Sequence, residues 1–363
     1  MTENNQHIVA ELRGQVGCIT LNRPKALNAL SLAMVRDLMS QLLAWQQDPR
    51  VLAVAIRGTG REGAFGAFCA GGDIRFLHAA GTSGNPELED FFTEEYALNH
   101  LIHTLGKPYI AFMDGIVMGG GMGISQGASL RIVTERTKMA MPETIIGLFP
   151  DVGGGWFLSR CPGRVGEWLA LSGETIGAAD AIAFQLADGY LPSDQQAALW
   201  DALGTQSFAS GSAVQDFVAS KMVAAGQRQV TAIEQIDHFF ALPDAAAIVQ
   251  ALEVAEGAWE QATAQLLRKR SPLMLQVVLE QIRRARGMTL AQDLRMERDL
   301  VRHCFYLRPG QSETIEGIRA LAVDKDHAPR WQPARVEEVD PALVQAFFQS
   351  PWPAHAHPLA GLV

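Results

Sequence analysis

Met118-Gly119-Gly120-Gly121-Met122-Gly123 places four glycines in six residues, between two stretches, 109–113 and 130–134, that read as strands. Glycine lets a backbone turn sharply and approach a neighbour or ligand closely. The residues after Gly121 suit a short helix, whose N-terminal dipole favours negative charge. Upstream lies a second such turn, Cys69-Ala70-Gly71-Gly72-Asp73. One glycine cluster alone is an ordinary tight turn. Two in one chain can present the pair of N–H donors that stabilises charge developing on a carbonyl oxygen.

Around these turns the chain repeats a theme of strand, strand and helix. Residues 8–12 and 16–21 read as strands joined by the tight turn Gly14-Gln15. Met34, Val35, Leu38, Leu42 and Trp45 recur at helical spacing after the cap candidate Ser31, and residues 51–56 form a buried strand. Residues 79–86, rich in small and turn-forming types, read as a mobile surface loop before a helix at 88–105. From Ser193 onward strand signals nearly vanish. Helical periods cover 196–203, 214–225, 245–267, 273–286 and 290–304. The expected organisation is an α/β part at 1–192 carrying the site, and an α-helical part at 193–363 that covers it or forms contacts between subunits.

Length and composition bound the rest. A chain of 363 residues with 48% hydrophobic and 19% charged residues has ample material for a core, and exceeds what one compact core usually reaches. A formal net charge of −9 without a Lys/Arg cluster gives no footprint for nucleic acid or an anionic membrane. Met-Thr-Glu-Asn-Asn-Gln-His at the N-terminus shows neither a secretory nor a transit pattern, so the expected location is cytoplasmic. Cys18, Cys69, Cys161 and Cys304 are widely spaced, which predicts buried, reduced thiols and no zinc site. His100 and His103 stand three apart on one helix with no third ligand indicated, so they read as surface or packing residues and no metal is expected.

One motif points elsewhere. Gly58-Thr-Gly60-Arg-Glu-Gly63 follows a strand with the spacing of a dinucleotide-binding turn. That function needs the third glycine to open a helix on the strand. The glycine-rich residues that follow break any such helix, so the stretch reads as a flexible turn.

The paired glycine turns resemble those of the crotonase superfamily, whose members build the oxyanion hole from an Ala-Gly-x-Asp turn and a Gly-Gly-Gly turn. The resemblance implies a spiral of strand-strand-helix units followed by covering helices, with the N–H groups of Gly72 and Gly120 as donors. It extends to Asn22-Arg-Pro-Lys-Ala-Leu-Asn-Ala-Leu30, a stretch that in this superfamily helps hold coenzyme A. Ala26, Leu27, Ala70 and Asp73 become substrate-binding positions by the same implication. Coenzyme A would enter as part of an acyl-CoA substrate, with no separate cofactor and with a homo-oligomer possible.

Within the superfamily, hydratases carry one glutamate shortly after the triple glycine and another in the next unit. Here the first position is Gly123, while the second is kept as Glu143. Phe149-Pro-Asp151-Val-Gly-Gly-Gly-Trp156 is similar to the 3-hydroxyisobutyryl-CoA hydrolase branch, which has an aspartate where hydratases usually have glycine. The site again has two carboxylates. Met141, Pro142, Ile145 and Ile146 flank Glu143; enclosed by them, its pKa would rise toward the range useful for proton transfer. Glu143 can then activate water or attack the thioester as a nucleophile. Asp151 can orient water, bind a substrate hydroxyl or protonate the departing thiolate; a helix or turn cap is its structural alternative.

Glu95 matches a substrate-lining position of the branch. Ser271-Pro-Leu and the stretch from Ile315 to Trp331 resemble the branch too, with Lys325 read as a solvated helix-end residue. Arg308-Pro-Gly-Gln-Ser-Glu-Thr314 departs from it, which opens the choice of acyl group. The function implied is hydrolysis of a short 3-hydroxyacyl-CoA, as in valine breakdown. An enoyl-CoA isomerase or hydratase type of crotonase and a non-catalytic acyl-CoA binder are the alternatives.

Overall fold

The computed structural model describes residues 6–363. The part of the targeting-peptide reading that falls on Met1 to Asn5 lies outside them. The described residues hold eight strands: β1 (Ile8–Arg13), β2 (Val16–Leu21), β3 (Ala53–Gly58), β4 (Tyr109–Met113), β5 (Ile116–Met118), β6 (Leu130–Val133), β7 (Lys138–Ala140) and β8 (Gly189–Tyr190). Contacts gather them into one compact unit, made of the chain up to Gly72 together with Ala97–Ala140 and Thr175–Gln229.

In this first unit, six strands form one sheet in the order β1-β2-β3-β4-β6-β8, and β5 pairs with β7. β1 and β2 are an antiparallel hairpin over Gly14, whose φ of 58° suits glycine; the other pairings between these strands are parallel. Parallel strands are covered on both faces and read as continuous apolar runs, as β4 does with all five residues buried. The helix Leu32–Gln47 connects β2 to β3, capped by Ser31, which accepts from the N–H of Met34 at 3.3 Å. Its buried stripe contains Met34, Val35, Leu38, Leu42 and Trp45, as the period predicts. The core of the unit joins Val16, Ala55, Ile110 and Phe112 to Trp200, Leu203, Val214 and Val218.

The second unit comprises Asp73–Tyr96, Met141–Glu174 and Val230–Val363. Its described residues are helical or irregular. The helices Pro272–Ala285 and Leu290–Tyr306 bury much of its interior, including Leu273, Val277, Val278, Leu294 and Leu300. A chain of rings runs from Phe76 through Phe91 and Phe92 to Tyr96 and Phe305.

Three sequence readings are corrected. Residues 79–83 are no loop: they complete the helix Ile74–Ser83, which ends at left-handed Gly84, because Leu77 and Ala80 have a buried face to fill. The expected helix 245–267 is two, Ala245–Val254 and Ala258–Leu267, parted where Ala255 turns extended and Gln261 Nε2 donates to the carbonyls of Glu253 and Ala255. The helix expected at 214–225 ends at Ala219, since Val223 is drawn into a bridge with Tyr190. Contacts place residues 193–229 with the sheet, where they complete its core. After Gly58-Thr-Gly60-Arg-Glu-Gly63 no helix begins until Ile74, so the dinucleotide turn lacks its helix.

Candidate functional site

In the first unit the two glycine turns lie against each other. Met118 donates to the carbonyl of Cys69 at 3.0 Å, and Cys69 to that of Ile116 at 2.9 Å. Gly71 has a φ of 102°, and a Cβ there would sit 3.3 Å from the carbonyl of Met118 and 3.5 Å from the nitrogen of Gly120. Gly119 adopts φ 49° and ψ −121° before the helix Gly120–Gln126. A Cβ on Gly121 would stand 2.3 Å from the carbonyl oxygen of Cys69, a separation that only glycine allows. Gly72 and Gly120, the expected donors, thus belong to neighbouring turns, and Gly123 is buried in the helix.

Ala26, Leu27 and Ala70, the expected substrate positions, belong to the same structure. Ala70 donates to the carbonyl of Leu27 at 3.0 Å, and Leu30 to that of Gly71 at 2.8 Å. Leu27 and Asn28 are both left-handed, with φ of 50° and 57°. The buried side chain of Asn28 holds them: its Nδ2 donates to the carbonyls of Ala67 at 2.8 Å, Thr59 at 3.0 Å and Phe68 at 3.1 Å, and its Oδ1 accepts from Arg23 N–H. The sequence reading passed over Asn28 as one more residue of a motif. Asp73 caps the helix Ile74–Ser83, accepting from Phe76 N–H at 3.4 Å.

The carboxylates gather in the second unit. Glu143 opens a short turn of helix, Glu143–Ile146, closed by left-handed Gly147. Ser271 N–H donates to the carbonyl of Thr144, and Thr314 Oγ1 to that of Gly147 at 2.7 Å, so two later segments pin this turn. The departing segment 308–314 therefore supports the Glu143 turn, with Glu313 buried and accepting from Ser271 Oγ at 2.7 Å. Glu95, Glu143 and Asp151 are all buried, at 2%, 7% and 6% exposure. Glu143 Oε2 and Glu95 Oε1 have no hydrogen-bond partner among the described residues, an arrangement folds avoid unless the group has work to do.

Burial dominates their titration. It pushes Asp151 up to about 7, against a hydrogen bond from Tyr96 Oη at 2.9 Å that favours the charged form. It raises Glu143 well above the ordinary carboxylate range, with the charges of Asp151 and Glu95 adding to the shift. Glu95 is raised in the same way by burial and by Asp151. The three carboxyls thus share one electrostatic neighbourhood and give up their protons in turn. Tyr96 was missed in the sequence, where nothing distinguishes its hydroxyl from that of any buried tyrosine.

His103 packs against Gly127, and burial lowers its pKa to about 4, while His100 is half-buried. Lys325 is exposed, and the four cysteines are free and buried. No helix among the described residues is long and apolar enough to cross a membrane.

A mostly parallel sheet with paired glycine turns, followed along the chain by a group of buried carboxyls and then by C-terminal helices, defines a crotonase fold, and the chain belongs to the enoyl-CoA hydratase/isomerase family, whose profile matches residues 16–348. Among curated proteins it is 37% identical to the 3-hydroxyisobutyryl-CoA hydrolase, mitochondrial, of Gallus gallus, over 96% of this chain and 90% of that one. It is also 37% identical to 3-hydroxyisobutyryl-CoA hydrolase 1 of Arabidopsis thaliana, over 95% and 92%. Two solved structures share 36% identity. A carnitinyl-CoA dehydratase from Mycobacterium thermoresistibile has a TM-score of 0.86, with 95% of this chain and 97% of that one covered. An enoyl-CoA hydratase from Rhodobacter sphaeroides has a TM-score of 0.84, with 95% and 98% covered. The word mitochondrial describes the relatives that carry it, and the cytoplasmic expectation draws no support from them.

Proposed function

We propose that this protein hydrolyses a short 3-hydroxyacyl-CoA thioester, 3-hydroxyisobutyryl-CoA by likeness to its curated relatives, with Glu143 and Asp151 as the working carboxyls. The observation that carries this reading is the buried pair Glu143 and Asp151, with the charge of Asp151 raising Glu143, in a chain whose Gly123 denies it the hydratase's other glutamate.

Two carboxyls this close lose their protons one at a time, so over an interval of pH they share one proton; burial and the Asp151 charge favour it on Glu143, and the reaction runs through the form in which it has passed to Asp151. Glu143 as carboxylate takes a proton from water as the water oxygen bonds to the thioester carbon. The carbonyl electrons move onto oxygen, where the family resemblance assigns the N–H groups of Gly72 and Gly120 as donors. When the tetrahedral intermediate collapses, the carbon–sulfur bond breaks and the thiolate takes the proton of Asp151. A direct attack by Glu143, giving an acyl-enzyme anhydride that water then opens, uses the same groups. Glu95 and Tyr96 stand beside Asp151 as polar contacts for the acyl hydroxyl. Coenzyme A arrives as part of the substrate, and no resident cofactor enters the scheme.

The test is release of free thiol from 3-hydroxyisobutyryl-CoA and a panel of short acyl-CoAs. Glu143→Gln and Asp151→Asn should each keep acyl-CoA binding while losing turnover by roughly two to four orders of magnitude. Thiol release from none of the panel, together with hydration of an enoyl-CoA, would replace the hydrolase reading with the activities named for the solved relatives.

A further inference from the structure

Asp151 sits in a strained turn. Val152, which follows it, is buried and left-handed with a φ of 56°, a conformation that a β-branched side chain strongly resists. Gly153 follows with φ 87° and opens the five-residue helix Gly154–Leu158, which has no side-chain cap of its own. Such a turn persists only where its surroundings over-determine it. Here the surroundings are one side chain and its neighbours on the helices Leu290–Tyr306 and Pro272–Ala285.

Glu297, 144 residues further along the chain, accepts from Gly153 N–H at 2.7 Å through Oε2 and from Gly155 N–H at 2.9 Å through Oε1. Gln281 Nε2 donates to the carbonyl of Pro150 at 2.7 Å and to Glu297 Oε1 at 3.3 Å. Both flanks of Asp151, the carbonyl before it and the amides after it, are therefore tied to one carboxyl. Asp293, one helical turn before Glu297, accepts from Trp156 N–H at 2.8 Å, and its Oδ1 would collide at 2.3 Å with any Cβ on Gly155. Glu297, Asp293 and Gln281 are all fully buried. Capping a five-residue helix needs one exposed Ser or Asp. Two buried carboxyls are a costly substitute unless the turn's shape matters.

We propose that Glu297, backed by Gln281 and Asp293, is the positioning residue of the Asp151 turn: it holds Val152 left-handed and so aims the Asp151 carboxyl at Tyr96 and at the reacting thioester. It touches no reacting atom and acts through Asp151 alone. The proposal rests on the reading of Asp151 as a working carboxyl in thioester hydrolysis.

The experiment compares wild type with Glu297→Gln, which keeps the shape but turns an acceptor into a donor facing an N–H, and with the milder Gln281→Met. Amide hydrogen exchange at Gly153 and Gly155 should quicken by about a hundredfold in Glu297→Gln, with the helix Val165–Ser172 unchanged. On the acyl-CoA that wild type hydrolyses best, kcat should fall about tenfold with KM within about twofold. A loosened turn admits water to Asp151, so the limb of the pH profile set by Asp151 should move down by at least about half a unit. Should Glu297→Gln fail to fold, Gln281→Met carries the same changes in smaller measure. Unchanged exchange at Gly153 and Gly155, or a lowered Tm with kcat and the pH profile intact, overturns the proposal. Absence of thiol release by wild type on every acyl-CoA is a different result. It ends the hydrolase reading, and the proposal with it, while exchange at Gly153 and Gly155 still reports whether Glu297 holds the turn.

Discussion

Glu143, Glu95 and Asp151 keep their protons to higher pH in the folded protein than carboxyls do in an unfolded chain. A group of this kind contributes stability that is fully present below its unfolded value, 3.8 for Asp151, and that is lost as pH rises through its folded value, about 7. Glu143→Gln cannot ionise and escapes that loss. Its Tm at pH 8 is expected to exceed that of wild type by about 2–4 °C, and thermal melts at pH 4 should show the gap closed. The variant that abolishes turnover would then be the more stable protein, as expected where a fold holds strained or buried groups for chemistry. Tyr96→Phe removes the hydrogen bond that favours ionised Asp151. The limb of the kcat profile due to Asp151 should move up by about half to one pH unit, and an unmoved limb would show that this hydroxyl does not govern Asp151.

Elements respond to what their backbones touch. Gly121→Ala drives a Cβ to 2.3 Å from the Cys69 carbonyl, between two turns that have no room to part. The expected loss is at least about 2 kcal/mol in denaturant unfolding. Gly63→Ala is the contrast, since a Cβ there meets nothing within 4 Å; its stability should stay within about 0.5 kcal/mol of wild type, as befits a turn without a phosphate to cradle. The misread elements share a cause. Residues 79–83 carry loop-forming types, yet a tertiary face for Leu77 and Ala80 made them helix. Local propensity is a weak prior wherever packing decides.

For the whole molecule, the segments of each compact unit alternate along the chain, so the sheet's core is completed by Trp200, Leu203, Val214 and Val218. A fragment ending at residue 192 leaves Phe112, Ile110 and Val16 without that cover. It is expected to aggregate or to unfold without a cooperative transition in calorimetry, whereas extending it through residue 229 should improve its solubility. A well-behaved 1–192 fragment would support a boundary at 192/193.

Beyond the candidates Gly72, Gly120, Glu143 and Asp151, which a family resemblance offers, the sequence by itself determined the hairpin, the capped helix Leu32–Gln47, the strands and the two close glycine turns. Each of these is written in local terms: a period of two or 3.6, a cap, or glycines where a backbone must pass close. Tertiary structure alone decided which carboxyls keep their protons, because a pKa depends on burial and on neighbours remote in sequence. It alone brought Tyr96 to Asp151, and Glu297 to the amides behind it from 144 residues away. A glutamate on an amphipathic helix looks solvated until the fold shows which face is inside.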